Sequence, residues 1–242
     1  MELKQQLTIL SNLKIYFGHQ SVGRNIIEGI KDIYTQYPDL KSNIINLSTL
    51  ESNSNLDVYF SESGIGRNID PVSKYDDFAH ILRSKFKDTL DVAFLKLCYI
   101  DIDKNTNINE VFHYYKMKMD SLKNEFKHTV FIHVTVPLNC RTTLKNTVKR
   151  ILNYNYDIDV NNIKINQFNN LLLETYKNEP IFDLARIEST YPDGSRETFK
   201  SDDATYYSLI KDYTYDYGHL NELGRKIVAR ELISTIAQAI KK

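Results

Sequence analysis

The chain has few of the residues that stabilise small secreted domains or break regular structure. Only two cysteines, Cys98 and Cys140, occur among its 242 residues, together with five prolines and eight glycines. Two cysteines without a CxxC spacing exclude a disulfide framework, and free thiols fit a reducing compartment. Because glycine is so scarce, the places where glycines cluster are the informative ones.

Charge of one sign and long apolar runs are also missing. Lys+Arg and Asp+Glu are both 31, and this balance argues against a general nucleic-acid-binding protein. No run approaches the roughly 18 apolar residues of a membrane span, and the first residues, MELKQQLTILSNLK, lack the apolar centre of a signal peptide. We therefore expect a cytoplasmic protein without a membrane span, and its oligomeric state stays open.

Cofactor motifs are absent as well. The chain has no Walker A motif and no Rossmann glycine fingerprint, and the histidines at positions 80, 113 and 128 show no metal-ligand spacing. We expect neither a metal nor an organic cofactor.

Short β-rich runs alternate with helical patterns along the chain, which we interpret as one domain spanning residues 1–242. Strands are predicted at residues 14–17, 43–47, 92–97, 130–136 and 181–184, and helices at 21–37, 109–126, 167–176 and 221–240. Strands that are apolar on both faces and separated by helices favour a three-layer α/β/α sandwich with a mostly parallel five-stranded sheet. Residues 138–165 and 186–216 are predicted to be irregular loops near the site.

Ligands of such sheets bind at the carboxyl ends of the strands. The segment GHQSVG, residues 18–23, directly follows the first predicted strand. Flanking glycines allow a sharp turn into a helix, whose free N–H groups would point at a developing oxyanion, so Ser21 fits a nucleophile. Serine is also a common helix N-cap, and this segment alone leaves both interpretations open.

A second polar segment, YDYGHLNELGRK at residues 215–226, precedes the last predicted helix. Asp216 and His219 are three residues apart, so one turn of chain can bring the carboxylate to Nδ1 of the imidazole and leave Nε2 as a general base. The alternative is an aspartate in a turn and a histidine at a helix end. Asp183, at the end of the fifth predicted strand, is a lesser candidate for the same acid.

A third segment, SESGIGRNIDP at residues 61–71, follows the second predicted strand. Gly66 could present a backbone N–H and Asn68 a side-chain amide to an oxyanion. The segment also fits a plain glycine-containing turn.

Taken together, these segments resemble the SGNH/GDSL hydrolase superfamily, and the resemblance spans nearly the whole chain. It implies a flavodoxin-like sandwich, a Ser21–His219–Asp216 triad, and an oxyanion hole built from the N–H groups of Ser21 and Gly66, to which we add Asn68 as a third predicted donor. One position departs from the pattern, because Ile100 stands where the family's third block has an asparagine, and an alkyl side chain donates no hydrogen bond. Asn68 and then Lys96 are the candidate replacements, although Lys96 could instead pair with Asp101 or Asp103.

The resemblance implies a serine esterase that acts on a small-molecule or glycan ester, with a carbohydrate O-acetyl ester as the preferred substrate. Two alternatives remain, an O-acyltransferase acting on a polysaccharide and a non-catalytic module of the same fold that binds a glycan or a partner. The missing asparagine favours the last, and the intact Ser, His and Asp oppose it. His19, Lys96 and Arg141 are weaker candidates for contacts to the substrate.

Overall fold

A parallel sheet lies at the centre of the computed structural model, which describes residues 1–40, 42–49, 60–141 and 157–241. Its strands are β1 (Ile15–His19), β2 (Ile44–Asn46), β3 (Phe60–Gly64), β4 (Val92–Leu95) and β5 (Val130–Phe131). They are all parallel and lie in the order β2-β3-β1-β4-β5. This arrangement places β1, the strand that leads to Ser21, in the middle of the sheet.

Two further strand pairs complete the β structure of the described residues. The strands β6 (His133–Val134) and β7 (Ile181–Phe182) form a parallel pair. Only Ile132 separates β5 from β6, and its N–H donates to the Ala93 carbonyl at 3.1 Å, so the pair continues the sheet. An antiparallel hairpin is formed by β8 (Thr198–Ser201) and β9 (Ala204–Tyr207).

The helices pack against the sheet in two groups. In chain order, the helices are α1 (Leu3–Leu10), α2 (Val22–Tyr34), α3 (Pro71–Ile81), α4 (Ile108–Glu125), α5 (Asp157–Thr175), α6 (Leu184–Glu188) and α7 (Glu222–Ala239). Helices α1, α2 and α6 contact α7, whereas α4 contacts both α3 and α5. None of the helices in the described ranges is long and apolar enough to cross a membrane.

The alternation of side chains along β1 explains how the two layers are held. Tyr16 stacks on Phe78 of α3, with ring centroids 5.6 Å apart, whereas the neighbouring Phe17 stacks on Phe94 of β4 at 4.6 Å. Both β1 side chains are essentially inaccessible to solvent. Burial of large aromatic side chains on both faces of a central strand is the main stabilising contribution of such a sheet.

The predicted α/β fold with a parallel sheet is confirmed, and several elements differ from the prediction. Strand β3 was not expected, because its Ser61, Glu62 and Ser63 make it look like a polar loop. The range 186–216, expected to be irregular, contains the end of α6 and the whole β8–β9 hairpin. Helix α5 begins inside the predicted loop 138–165, of which residues 142–156 lie outside the described residues.

Candidate active site

Ser21 lies in the tight turn between β1 and α2, at the carboxyl edge of the sheet. Its backbone has φ 52° and ψ −108°, a conformation that non-glycine residues rarely adopt. Its side chain does not cap α2, and its Oγ instead lies 2.5 Å from Nε2 of His219. The strained backbone conformation therefore directs the hydroxyl away from the helix and towards the imidazole. Strained backbone of this kind is typical of functional sites.

The turn is possible because Gly23 leaves room for a neighbouring ring. A Cβ atom at position 23 would lie only 2.4 Å from Cβ and Cγ of His19, so no other residue fits without displacing that imidazole. His19 is buried, and its Nε2 lies 2.9 Å from Oε2 of Glu62 on β3. Burial lowers the pKa of His19, although the adjacent Glu62 carboxylate opposes this effect.

The loop before α7 places His219 between Ser21 and Asp216. Nδ1 of His219 lies 2.7 Å from Oδ2 of Asp216, on the opposite side of the ring from the serine. A carboxylate beside Nδ1 holds the proton on that nitrogen, which leaves the lone pair of Nε2 facing the Ser21 hydroxyl. The three side chains thus have the geometry of an activated serine nucleophile.

Backbone donors fix the Asp216 carboxylate. Its Oδ1 accepts the N–H groups of Tyr217, Gly218 and His219 at 2.5, 2.7 and 2.8 Å. Burial alone would raise the pKa of Asp216, but the Gly218 N–H and the His219 ring outweigh it and bring the pKa to about 2. The carboxylate is consequently charged throughout the neutral range.

A link from α2 connects the loop that carries His219 to the helix that follows Ser21. Asn25, one helical turn after Ser21, accepts the Leu220 N–H through its Oδ1 at 3.1 Å. Tyr215 lies parallel to the His219 ring with centroids 5.9 Å apart, and Tyr99 meets the same ring edge-on. The imidazole is therefore held by its two hydrogen-bonded nitrogens and by aromatic neighbours.

Two cavities open beside Ser21. The larger has a volume of about 600 Å³, and its lining includes His219, Asn68, Arg24 and Tyr215. The smaller, of about 370 Å³, shares Ser21 and Arg24 and continues to Lys31 and Glu62. Leu220 is the single aliphatic residue lining the first cavity within the described chain, and Ile27 is its counterpart in the second. The surroundings of the serine hydroxyl are therefore polar.

The three predicted oxyanion donors differ in whether their N–H groups are free to bind an oxyanion. Within the described residues, the Ser21 N–H donates to no other group and Asn68 lines the larger cavity together with Ser21. The prediction for Gly66 is wrong, because its N–H already donates to Oδ2 of Asp77 at 2.9 Å. Glycine is required at position 66 by the turn, because its φ is 52° and a Cβ there would lie 2.5 Å from the backbone nitrogen of Lys74.

The weaker substrate-contact candidates are also corrected. Lys96 is fully buried beneath the site, donates to the Leu97 carbonyl at 3.0 Å, and lies 3.4 Å from Sγ of Cys98. Burial lowers its pKa, and its expected partner Asp101 pairs with Lys74. Arg141 binds Asp159 with two nitrogens at 2.5 and 2.7 Å and lines neither cavity. Of the three candidates, His19 lines a cavity beside Ser21, the smaller one.

The remaining candidates have structural roles. Asp183 caps α6 by accepting the Arg186 N–H and accepts a hydrogen bond from Thr135, whereas Nδ1 of His219 is bound by Asp216. His133 is a core residue between Tyr115 and Glu179, and burial lowers its pKa to about 4. Cys98 is buried and free. No group of metal-binding side chains is formed by the residues that the structure describes.

Glu188, at the end of α6, provides a stability prediction. Burial raises its pKa from 4.5 to about 8, although the Leu138 N–H opposes the shift, and its Oε2 has no hydrogen-bond partner in the described chain. Between these pH values the unfolded chain releases a proton that the folded chain keeps, so stability falls as pH rises from about 4.5 to 8.

Replacement of Glu188 by glutamine, a shape match for the neutral acid, removes this titration. At pH about 5 we expect the free energy of unfolding of Glu188→Gln to be near the wild-type value. At pH about 9 we expect it to exceed the wild-type value by a few kcal/mol. Urea unfolding at both pH values measures the difference. A difference that does not change with pH would contradict the prediction.

Several site residues were not predicted from the sequence. Arg24 and Asn25 face the site because they lie three and four residues after Ser21 on α2, a spacing that the helical pattern already contained. Tyr215, which also lines the larger cavity, carried no such signal. Arg24 lines both cavities and makes no ion pair with any described residue, so a cationic group flanks the serine.

Comparisons with known proteins address the fold. No protein-family model and no curated protein matches the chain. Among solved structures, a GDSL-like lipase from Bacteroides thetaiotaomicron is similar, with a TM-score of 0.53, 12% identity, and coverage of 99% of this chain and 97% of that one. The acetyl xylan esterase AlAXEase has a TM-score of 0.50 and 14% identity, with 93% and 100% covered.

A variant of an acetyl-xylooligosaccharide esterase from Geobacillus stearothermophilus is similar to the same degree, with a TM-score of 0.50, 12% identity, and coverage of 93% of this chain and 94% of that one. The TM-scores and the coverage show a shared fold, and at identities this low they show nothing beyond it. The chain thus shares the α/β fold of these lipase and esterase structures, which is the fold that the resemblance of its motifs implied.

Proposed function

We propose that this protein is a serine esterase of the SGNH/GDSL superfamily. The observation that carries the proposal is the chain of contacts from Oγ of Ser21 to Nε2 of His219 and from Nδ1 of His219 to Asp216, at 2.5 and 2.7 Å. Residues nearly 200 positions apart meet in the hydrogen-bonding order that nucleophilic catalysis requires. The shared fold of GDSL-like lipases and acetyl esterases supports the same reaction class.

In this reaction Oγ of Ser21 attacks the ester carbonyl while Nε2 of His219 takes the hydroxyl proton. The N–H of Ser21 and Nδ2 of Asn68 stabilise the oxyanion of the tetrahedral intermediate. His219 then gives its proton to the leaving alcohol oxygen, and the acyl group stays on Ser21. Water attacks the acyl-enzyme with His219 again as the base, which releases the carboxylic acid and restores the serine.

Polar walls around Ser21 favour a short acyl group on a polar alcohol. An aliphatic chain would have to be buried among side chains such as Arg24, Asn25 and Glu28, which would lose hydration without gaining partners. A sugar hydroxyl, by contrast, can form hydrogen bonds with these groups, and the exposed Tyr215 offers it a ring face. We therefore propose a carbohydrate O-acetyl ester as the substrate class.

Chain-length dependence tests the substrate proposal. We expect kcat/KM for p-nitrophenyl esters to fall from acetate to butyrate to octanoate, by about 10-fold or more in all, because each added methylene meets polar groups. A lipase of known long-chain preference serves as the control for ester solubility. A preference for octanoate would contradict the proposal.

Acetylated oligosaccharides separate the remaining alternatives. Release of acetate from an O-acetylated xylo-oligosaccharide, at a rate that unacetylated acceptor sugars leave unchanged, is the expected result. Acceleration by the acceptor, with transfer of the acetyl group to it, would indicate an O-acyltransferase. Binding of the oligosaccharide without any Ser21-dependent release would indicate a non-catalytic module.

A further inference from the structure

A buried ion pair lies directly behind the loop that carries Asn68. Nζ of Lys74 on α3 is 2.5 Å from Oδ2 of Asp101, and neither side chain is accessible to solvent. Asp101 belongs to the turn after β4 and follows Ile100, the residue that stands in place of the family's asparagine donor. Removing two charges from water is costly, so a pair buried this completely needs excellent geometry and additional hydrogen bonds to be stable.

Those hydrogen bonds join two loops at the carboxyl edge of the sheet. Oδ1 of Asp101 accepts the Ile69 N–H at 2.9 Å, and Oδ2 accepts the Cys98 N–H at 2.6 Å. Lys74 donates through Nζ to Oδ1 of Asn68 at 3.1 Å. The ion pair therefore connects the loop after β3 to the turn after β4.

The contact with Lys74 decides which way the Asn68 amide faces. An ammonium group is a donor only, so the atom that faces it must be the amide oxygen. Nδ2 consequently points away from Lys74, and Asn68 lines the cavity that Ser21 and His219 share. Asn68 is exposed, and within the described chain this bond to Lys74 is the only hydrogen bond of its side chain.

The backbone beside Asn68 is also held by this pair. Ile69 has φ 67°, a left-handed conformation that is unfavourable for a β-branched residue, and its side chain is 72% exposed. Packing of that exposed side chain cannot hold the conformation. The hydrogen bond from its N–H to buried Asp101 helps to hold it, together with the bridge between Arg67 and Asp70 on either side.

We propose that Lys74 and Asp101 are positioning residues that hold Asn68 as an oxyanion donor, in the role for which Ile100 has no hydrogen-bonding group. The inference rests on the proposed ester hydrolysis. Lys74 aims the amide, and Asp101 holds both Lys74 and the strained backbone of the loop. Neither touches the substrate.

A double-mutant cycle between Lys74 and Asn68 tests this role. We expect Asn68→Ala to lower kcat for p-nitrophenyl acetate by about 10²-fold, the usual effect of removing one oxyanion donor, and Lys74→Met to lower it by about 10-fold or more with little change in KM. If Lys74 acts through Asn68, the double variant is no slower than Asn68→Ala alone. Effects of the two substitutions that simply multiply would overturn the proposal.

Leu172→Ala in α5 is the matched control, because Leu172 is buried and lines neither cavity beside Ser21. Leu172→Ala is expected to reduce stability without changing the kcat of the folded protein. Asn68→Ala should then lower kcat by the same factor in the Leu172→Ala background as in the wild type. Should Lys74→Met fail to fold, the Lys74→Met/Asp101→Asn variant, which leaves no unpaired buried charge, replaces it in the same cycle.

A readout without turnover separates this inference from the proposed function. If wild-type hydrolysis does not exceed that of Ser21→Ala, ester hydrolysis is refuted. The positioning is then measured by the ¹H–¹⁵N heteronuclear NOE of the Asn68 side-chain amide. A rigid amide that becomes mobile in Lys74→Met supports the positioning, and an amide equally mobile in both proteins overturns it.

Discussion

Ser21→Ala is expected to lower kcat/KM for p-nitrophenyl acetate by about 10⁴-fold or more, the range found when a triad serine is removed. Without Oγ no acyl-enzyme can form, and His219 has no proton to take. Among the described residues, the Ser21 side chain hydrogen-bonds to His219 alone and is half-buried, so the substitution removes the proposed nucleophile without opening the core. Initial rates at equal concentrations of folded protein measure the effect.

Ser234→Ala is the matched control for this substitution. Ser234 is a half-buried serine on α7 whose hydroxyl binds Gln6 and Gln238, away from the sheet edge that carries the site. Its replacement is expected to leave the rate unchanged. Equal rates for wild type and Ser21→Ala would remove the esterase proposal.

Asp216→Asn should have the second largest effect, a fall in kcat of about 10⁴-fold. The three backbone N–H groups that bind Oδ1 of Asp216 would hold the amide oxygen of Asn at the same place. Its NH₂ group would then face Nδ1 of His219 and donate to it. Nε2 would carry the ring proton in that tautomer and could not accept one from Ser21.

Asp183→Asn is the informative control, because Asp183 was the alternative acid and directly follows β7. It caps α6 and binds Thr135, so its replacement is expected to reduce stability modestly and leave kcat near the wild-type value. A large loss of kcat in Asp183→Asn together with an active Asp216→Asn would reverse the assignment of the acid.

The sequence indicated that Ser21, His219 and Asp216 lie together because two local signals fall at one sheet edge. Ser21 follows an apolar strand, and the Asp216-x-x-His219 spacing precedes a long amphipathic helix, so a parallel sheet brings both to its carboxyl edge. Local sequence left open whether Ser21 caps α2. The structure answers this, since the side chain makes no capping bond and binds His219.

Strand β3 could not be predicted, for a physical reason. Its inward polar groups are satisfied by distant partners, with Ser63 bound to the Tyr16 hydroxyl and Glu62 to His19. Buried polar residues that depend on tertiary hydrogen bonds have no apolar alternation to reveal them. The prediction that Gly66 donates to the oxyanion failed for a similar reason, because Asp77 takes its N–H.

The same limit applies to the buried lysines. Lys96 sits in an apolar run, which marked it as a lysine needing a partner, and Asp101 was an expected one. The structure instead pairs Asp101 with Lys74, 27 residues earlier on α3. Sequence spacing alone does not tell which of two lysines reaches a carboxylate, since the choice depends on how α3 packs over the sheet.

The nucleophilic role of Ser21 is tested most directly by a fluorophosphonate probe, whose phosphorus is attacked by an activated serine oxygen with loss of fluoride. Peptide mass spectrometry of the folded, labelled protein locates the adduct. The predicted result is a stoichiometric adduct on Ser21 that is absent from Ser21→Ala and forms far more slowly in His219→Ala. An unlabelled Ser21, under conditions in which a control esterase is fully labelled, would contradict the assignment of Ser21 as the nucleophile.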